Sequence, residues 1–465
     1  MKRTVQTTLT RRVFIRRAAG TALASAVLPT IVPASVFGAA GKAAPSNRIG
    51  VALIGCGPQG TGVMRGFLSQ KDVQVVAVSD VKQEQLQQAR DAVNGAYQNQ
   101  DCATYEDFRE LLGRKDIDAC IIGTPDHWHV PISIAAVKAG KDIYTEKPMG
   151  CSLAEDQALR QAVHVYQRIL QFGTQQRSNR KFRTAAMLAR NARLGTLKHI
   201  NVWAPGSAPG GSTKVVPVPP TMNYDLWLGP APFRPLTEDR CSADGGRKTW
   251  WFDTDYALGF IAGWGIHPMD IALWGAGELM RGKVEVEGTG SFPTTGACNT
   301  ATVWDLNYKF ASGITLTFVG VPNGGNAGKP TGESWAHEPE WRQKYGPLAS
   351  HGTVFEGADG WCLVDRGKLV TRPEGLAETQ TDALPVQLKV SGNHARDFLD
   401  SVKSRQPAIA HVDDAVWGDT LCHIGDIAAR LQRKVTFDFA TERFVGDAEA
   451  NKRLALRAMR PPWTI

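Results

Sequence analysis

A glycine-rich turn between an apolar strand and a helix constrains the fold of this chain more than any other feature. The apolar run 49–54 is typical of a buried parallel strand, and Gly55, Gly57 and Gly60 follow it at the spacing G-x-G-x-x-G. The first glycine allows the tight turn, the second lets a pyrophosphate approach the backbone, and the third lets the helix pack on the strand. The turn, with Gln59 inside it, predicts a Rossmann dinucleotide site at a helix N-terminus. A Rossmann-like domain that has lost its cofactor is the alternative.

The residue that ends the second predicted strand indicates which dinucleotide binds. Asp80 follows the run 73–79 and lies 20 residues beyond Gly60. A carboxylate at this place accepts hydrogen bonds from the adenosine ribose hydroxyls and repels a 2′-phosphate. The sequence therefore favours NAD, while the flanking Ser79 and Lys82 leave NADP possible.

Two further strands end in polar segments. The run 118–123 leads into a predicted loop at 124–129, before a helix predicted over 131–139, and the run 142–144 leads into Glu146-Lys147-Pro148. Loops at the carboxyl ends of strands line the ligand crevice of a doubly wound sheet. The residues predicted to face the nicotinamide are Thr124, Pro125, His129, Glu146 and Lys147.

No metal site is predicted. His127 and His129 could be interpreted as ligands, but no third ligand lies near them in the sequence, and the eight cysteines are scattered without zinc spacing.

The three motifs together resemble one family. G-x-G-x-x-G, the T-P-D-x-x-H form at 124–129 and Glu146-Lys147-Pro148 are similar to those of the Gfo/Idh/MocA oxidoreductases, named for glucose–fructose oxidoreductase, inositol dehydrogenase and a rhizopine-catabolism protein. The resemblance implies an α/β chain: an N-terminal Rossmann doubly wound parallel sheet, then an α/β domain with a large open, mostly antiparallel sheet. It also implies nicotinamide-dependent chemistry on sugars or cyclic polyols. Lys147 would touch the reacting hydroxyl and the cofactor, and His129 would lie beside the nicotinamide.

The segment 259–270 resembles the family segment that carries its catalytic histidine. The resemblance makes His267 the base that receives the hydroxyl proton, with Asp270 three residues later in the helix, and neutral imidazole is a suitable acceptor near pH 7. The family often has an aspartate four residues before this histidine, where this chain has Gly263. Either another acid substitutes, Asp253 and Asp255 being the nearest upstream, or the chemistry has changed.

The second half of the chain is predicted to hold the substrate. Strand-like runs at 199–204, 283–287, 301–310, 314–319 and 352–356 suit an antiparallel sheet, and a helix near 412–432 could pack back on the first domain. Tryptophans in or beside the expected cleft, at 227, 250, 251, 264, 335 and 341, suit a carbohydrate, although each alone is more often a packing residue. The predicted substrate-binding residues are Gln176, Arg177, Trp264, His267 and Asp270.

The N-terminus resembles an export signal. Paired arginines at 11 and 12 precede Val13-Phe14-Ile15 and a weakly apolar run, as in a bacterial twin-arginine signal. Residues 1–38 are the predicted signal and 39–48 a linker, with 49–172 the Rossmann domain and 173–465 the substrate domain. Twin-arginine export machinery moves folded proteins, so a periplasmic enzyme could carry a cofactor bound in the cytosol. An N-terminal membrane anchor is the alternative.

The formal charge of +8 is concentrated in this leader. Six lysines and arginines and no acidic residue lie in the first 38 residues, so the remainder carries about +2. A nearly balanced chain gives no reason to expect nucleic acid or a membrane surface as partner. A homo-oligomer is expected, because an open sheet leaves one face to cover.

These observations predict a periplasmic NAD(P)-dependent oxidoreductase that transfers hydride from a ring carbon of a sugar, glycoside or cyclic polyol to a tightly held nicotinamide. Two alternatives stay open. One is NAD-assisted glycoside cleavage, by a lyase or hydrolase, through a transient keto intermediate. The other is a non-catalytic sugar-binding protein.

Overall fold

The run of apolar strands in the first half forms a single parallel sheet. A computed structural model describes residues 47–242, 250–322 and 335–465. The sheet has six strands in the order β3-β2-β1-β4-β5-β6, and every residue of the first strand is buried. The strands are β1 (Ile49–Ile54), β2 (Val73–Ser79), β3 (Ala103–Tyr105), β4 (Ala119–Ile122), β5 (Asp142–Thr145) and β6 (Leu170–Phe172). The predicted doubly wound sheet is confirmed.

Helices connect these parallel strands. They are α1 (Pro58–Leu68), α2 (Gln83–Tyr97), α3 (Phe108–Leu112), α4 (Asp126–Lys138) and α5 (Leu153–Val165). One prediction was wrong: most of the expected loop at 124–129 is the first turn of α4, which begins at Asp126 after Pro125 and contains Pro131. All but two of the 13 residues of α4 are buried, so packing stabilises this turn despite the proline.

A second sheet follows, with nine strands within the described residues. They are β7 (Leu197–Pro205), β8 (Lys283–Ser291), β9 (Val303–Phe310), β10 (Thr315–Val321), β11 (Gly352–Gly357), β12 (Trp361–Val364), β13 (Leu369–Arg372), β14 (Val435–Asp438) and β15 (Arg443–Phe444). Their order is β13-β12-β11-β7-β10-β9-β8-β14-β15. β7 and β10 are parallel and the other pairs are antiparallel. The predicted large, mostly antiparallel sheet is confirmed.

The remaining helices lie around this sheet and between the two halves. They are α6 (Arg180–Arg190), α7 (Tyr224–Leu228), α8 (Phe260–Gly263), α9 (Ile266–Ala276), α10 (Glu338–Tyr345), α11 (His394–Ser404), α12 (Val412–Leu431) and α13 (Ala448–Leu454). α12 contacts α5 and β6 on one side and β8 on the other. Residues Ile49–Ile465 form one compact unit.

The predicted export signal and nearly all of the predicted linker lie outside the described residues. Among the helices that the structure does describe, none combines the length and the hydropathy needed to cross a bilayer.

Candidate active site

A cleft of about 320 Å³ opens at the carboxyl ends of β1, β2, β4 and β5. Parallel strands bring their carboxyl ends to one edge, so segments from four separate motifs meet there. Of the predicted cofactor residues, all except Gly60 line this cleft: Gly55, Gly57, Gln59, Asp80, Thr124, Pro125, His129, Glu146 and Lys147.

The glycine turn has the geometry that a bound dinucleotide requires. Gly55 has φ +89°, and a Cβ on Gly60 would lie 2.1 Å from the Gly55 carbonyl oxygen, so these two positions exclude side chains. A Cβ on Gly57 would meet no heavy atom within 4 Å, and α1 begins at the next residue. This open face at a helix N-terminus fits the pyrophosphate of NAD.

Asp80 stiffens the same turn. Its Oδ2 accepts a hydrogen bond from the Cys56 amide at 2.7 Å, and its Oδ1 accepts one from the Lys82 amide at 2.8 Å. Burial raises the pKa of Asp80, although both amides favour its charged form. The Lys82 ammonium donates to the Cys241 carbonyl. The carboxylate thus lies in the cleft where a ribose would bind, with a fixed orientation.

His129 joins the two polar segments instead of presenting a free imidazole. Its Nδ1 lies 2.7 Å from the Pro148 carbonyl oxygen and its Nε2 lies 2.8 Å from the Thr124 carbonyl oxygen. Burial lowers the pKa of His129 to about 4, so the neutral ring donates to one of these carbonyls. His127 faces a different carbonyl, that of Trp227, at 3.0 Å. The two histidines therefore hold main chain in place, which gives the metal interpretation no support.

Lys147 lies where the cofactor cleft meets a second cavity. Its Nζ donates to the Gly263 carbonyl at 2.9 Å and lies 5.9 Å from the centroid of the Trp251 indole. The neighbouring Glu146 is buried and accepts a hydrogen bond from Gln175 Nε2 at 3.1 Å. Burial raises the pKa of Glu146, which favours its uncharged form. Lys147 is therefore the cation placed at the junction.

The second cavity, of about 570 Å³, unites residues that are far apart in the sequence. It is lined by Gln59, Lys147, Gln175, Gln176, Asn179, Phe182, Trp251, Trp264, His267 and Arg366. The two predicted catalytic side chains, Lys147 and His267, thus face the same space. Gln175, Asn179 and Arg366 were not predicted. The first two belong to the polar segment that contains Gln176, whereas Arg366 carries no local signal.

His267 has the properties of a neutral proton acceptor. It lies in the first turn of α9, and burial lowers the pKa of its imidazole well below the usual range, with the positive charges of Lys147 and Arg366 adding to the effect. Its Nδ1 is buried without a hydrogen-bond partner. The ring packs against Trp264, with centroids 5.7 Å apart. Imidazole in this environment is uncharged at neutral pH.

No described acid takes the place of the carboxylate missing at Gly263. Asp253 forms an ion pair with Arg240 at 2.9 Å, and Asp255 forms one with Arg234 at 2.7 Å. Neither aspartate lines the cavity. The suggested substitution by one of them is therefore not supported, and the unpartnered Nδ1 of His267 agrees with its absence.

Two predicted substrate-binding residues bind each other instead. Arg177 and Asp270 form a buried ion pair, with Nη2 2.6 Å from Oδ1, and Arg177 also contacts Asp414 at 2.6 Å. They are 1% and 2% exposed, and neither lines the cavity. Buried charges require such partners, so the pair stabilises the packing behind the site. Gln176 does line the cavity, and its amide donates to the His267 carbonyl at 3.3 Å and accepts from Arg366 Nε at 3.2 Å.

The predicted tryptophans divide between the two cavities and the core. Trp227 and Trp250 line the cofactor cleft, Trp264 lines the second cavity, and Trp251 lines both. Trp335 and Trp341 pack with Trp203 in a separate apolar cluster. Only part of the set can therefore meet a substrate.

Comparison with known proteins agrees with this geometry. Residues 49–174 match the description "Oxidoreductase family, NAD-binding Rossmann fold", and residues 203–332 and 378–465 match "Oxidoreductase family, C-terminal alpha/beta domain". Both describe Gfo/Idh/MocA proteins, and together they cover most of the chain. The chain belongs to the Gfo/Idh/MocA oxidoreductase family, whose first domain binds NAD.

Solved structures share the fold at low sequence identity. The WlbA dehydrogenase from Chromobacterium violaceum, in complex with NADH and UDP-GlcNAcA, has a TM-score of 0.62 at 15% identity and covers 84% of this chain and 97% of that one. The aldose-aldose oxidoreductase from Caulobacter crescentus has a TM-score of 0.57 at 18% identity, covering 83% of this chain and 99% of that one.

Curated relatives match over a shorter segment. A glycosyl hydrolase family 109 protein from Saccharopolyspora erythraea is 33% identical over 124 residues, which are 26% of this chain and 27% of that protein. An α-N-acetylgalactosaminidase from Shewanella oneidensis is 31% identical over 140 residues, which are 28% of this chain and 29% of that protein. The chain thus matches less than a third of the length of either relative.

Proposed function

We propose that the protein oxidises a ring carbon that bears a hydroxyl in a sugar, glycoside or cyclic polyol and passes the hydride to a tightly held NAD. The observation that carries this proposal is the position of Lys147, which lines both the cofactor cleft and the cavity that contains His267. A substrate in that cavity would meet a cation, an imidazole and the reactive end of the cofactor together.

Lys147 and His267 would orient the substrate hydroxyl and accept its proton. Bound NAD supplies a hydride acceptor. One N–H of the Lys147 ammonium is used by the Gly263 carbonyl, which leaves two donors to bind and orient the substrate oxygen. His267 accepts the hydroxyl proton, because its lowered pKa keeps it unprotonated at neutral pH. Oxidation then removes a hydride from carbon and a proton from oxygen.

Glycoside cleavage is the second candidate function. A transient ketone would acidify the neighbouring C–H and permit elimination of the aglycone, with the hydride returned afterwards. The names of the curated relatives favour this route, and so does Gly263 in place of an acid, with Nδ1 of His267 left unpartnered. Non-catalytic sugar binding is a third, simpler candidate.

We also propose periplasmic location after twin-arginine export, and self-association through the open sheet. Free NAD is scarce outside the cytoplasm, so the cofactor would be retained through turnover. NADP is less favoured, because the Asp80 carboxylate is fixed in the cleft where a 2′-phosphate would lie.

The test begins with mass spectrometry of the cofactor released from purified protein. A carbohydrate panel is then monitored for NADH, ketone and freed aglycone. We expect NAD in near-stoichiometric amount and a ketone product. A freed aglycone without net NADH would select the cleavage route. Protein without nicotinamide, and with no thermal stabilisation by NAD or NADP, would contradict the proposal.

A further inference from the structure

The second cavity carries positive charge that no described lining residue balances. Lys147 and Arg366 both face it, and none of its lining side chains is an aspartate or glutamate. Among the ion pairs of the described residues, none includes either cation. The cofactor cleft differs, since it is lined by several acids: Asp80, Glu106, Asp126 and Glu146.

Arg366 is held in place by neutral groups. Its guanidinium carbon lies 5.0 Å from the centroid of the Trp264 indole, and its Nε donates to the Gln176 amide oxygen at 3.2 Å. The side chain is exposed at the cavity mouth. Two contacts thus orient the guanidinium, while no carboxylate of the described residues lies at ion-pair distance from its terminal nitrogens. Arg177, deeper in the protein, contacts two aspartates.

A helix N-terminus adds to this charge. α6 begins at the cavity, where Asn179 is both its N-cap and a lining residue, and its first turn contains no acid. The positive end of the helix dipole favours an anion there. Lys181 of the same turn donates to the carbonyls of Arg366 and Gly367, at 3.1 and 2.7 Å, and so ties the arginine to the helix.

We propose that the substrate carries an anionic substituent, a carboxylate or a sulfate ester, which the Arg366 guanidinium binds at the cavity mouth. This inference rests on the proposed function, because it specifies the class of sugar that reaches Lys147 and His267. The planar guanidinium offers two parallel N–H donors to either group. An acidic sugar would bind with its anionic group at the mouth and its reacting hydroxyl deeper, while Trp264, under the guanidinium, lies beside the ring.

Direct binding tests the inference without turnover. Purified protein, with any bound NAD first reduced to NADH so that it cannot accept a hydride, is titrated calorimetrically with glucuronate, galacturonate and glucose 6-sulfate, and with glucose and galactose as neutral counterparts. We expect at least one acidic sugar to bind about tenfold or more tightly than its neutral counterpart, with a preference that weakens as salt is added. The uronate and sulfate arms show which anion the site takes.

Variants assign the preference to one side chain. Arg366→Gln is expected to abolish it, and Arg366→Lys to retain part of it, since a point charge lacks the bidentate fork. Arg372→Gln is the matched control, because Arg372 also lies over an indole, that of Trp361 at 5.8 Å, but outside the cavity.

Three results would overturn the inference: equal affinity for acidic and neutral sugars, no binding of any acidic sugar, or a preference that survives in Arg366→Gln. Failure of the proposed function has a different signature. If the protein holds no nicotinamide and oxidises no sugar, yet prefers acidic sugars through Arg366, the anion-binding site is supported and the proposed oxidoreductase activity is contradicted.

Discussion

The cofactor cleft and the second cavity share Lys147 but are specified in different ways. Most of the cleft comes from the ends of consecutive strands between residues 54 and 147, and each contribution is a short local motif. The cavity draws on segments from Gln59 to Arg366 that tertiary packing alone brings together. A backbone turn can be identified in the sequence from its glycines. The residues that line a cavity cannot, because the fold decides which charged side chains form buried ion pairs and which face the cavity.

The largest expected effect is at Lys147, the one cation among the residues that line both regions. Lys147→Met should lower the single-turnover rate of NADH formation by about 10³-fold, because both its charge and its proton donors are lost at the reacting oxygen. Bound NAD should remain, since the glycine turn is untouched. The exposed Lys138→Met, at the end of α4, is the control. If the variant loses bound NAD together with activity, the role of Lys147 is to bind the cofactor rather than to act on the substrate oxygen.

A second substitution separates the wall of the cavity from the packing behind it. Arg177→Met leaves two aspartates without their cation, so the free energy of unfolding should fall by about 3–5 kcal/mol. KM of the protein that still folds should not change, because Arg177 does not line the cavity. Denaturant melts and substrate titrations measure the two quantities. A raised KM with unchanged stability would show that Arg177 binds the substrate, as the sequence predicted.

The sequence predicted the features that depend on local motifs better than those that depend on tertiary packing. The parallel sheet, the antiparallel strands and the meeting of the glycine turn with the polar segments at one sheet edge were predictable, because glycine spacing and apolar runs reflect local backbone conformation. Arg177 and Asp270 were misassigned, since nothing local shows that one buried charge will neutralise another. Arg366 was missed for the converse reason: only the fold shows that this arginine has no carboxylate partner among the residues that the structure describes.

The third prediction concerns the pH range over which the cavity works. Protonation of His267 would remove the base, but its pKa lies well below the usual range, so acidification through pH 6.5 should not reduce the rate. We expect kcat to stay level from pH 8 to below 6, and His267→Asn to lower it by about 10²-fold. Stopped-flow NADH formation across pH measures both. A decline centred near pH 6.5 would indicate a solvated imidazole.

A smaller effect is expected when alanine replaces either of two glycines of the turn. The pair tests whether the pyrophosphate of NAD binds there. Gly57→Ala places a methyl where, apart from its chain neighbours, no atom of the described residues lies within 4 Å, so stability should stay close to wild type while NAD affinity falls by about tenfold or more. Gly60→Ala drives its methyl into the Gly55 carbonyl and should cost about 1–3 kcal/mol of stability. Thermal melts with and without NAD distinguish the two. Normal NAD affinity in Gly57→Ala would place the pyrophosphate elsewhere.

The smallest effect concerns the support of the loop that joins the two regions. Asp419 of α12 accepts a hydrogen bond from the Met149 amide at 2.9 Å, two residues beyond Lys147. Burial and the nearby Asp156 raise the pKa of Asp419 to about 8. The folded protein therefore keeps a proton on Asp419 that the unfolded chain releases near pH 4. The contribution of this carboxyl to stability falls as pH rises between these values, by at most about 1.4 kcal/mol per pH unit.

Asp419→Asn should make the slope shallower by up to about 1.4 kcal/mol per pH unit, because the amide cannot ionise and its oxygen can still accept from Met149. Asp91→Asn, at an exposed carboxylate of α2 whose ion-pair partner is Arg90, should leave the slope unchanged. Urea melts at pH 5, 6, 7 and 8 measure the slope. If wild type and Asp419→Asn show the same slope, Asp419 is ionised in the folded protein over this range, and the loop that presents Lys147 contacts a buried negative charge rather than a neutral acid.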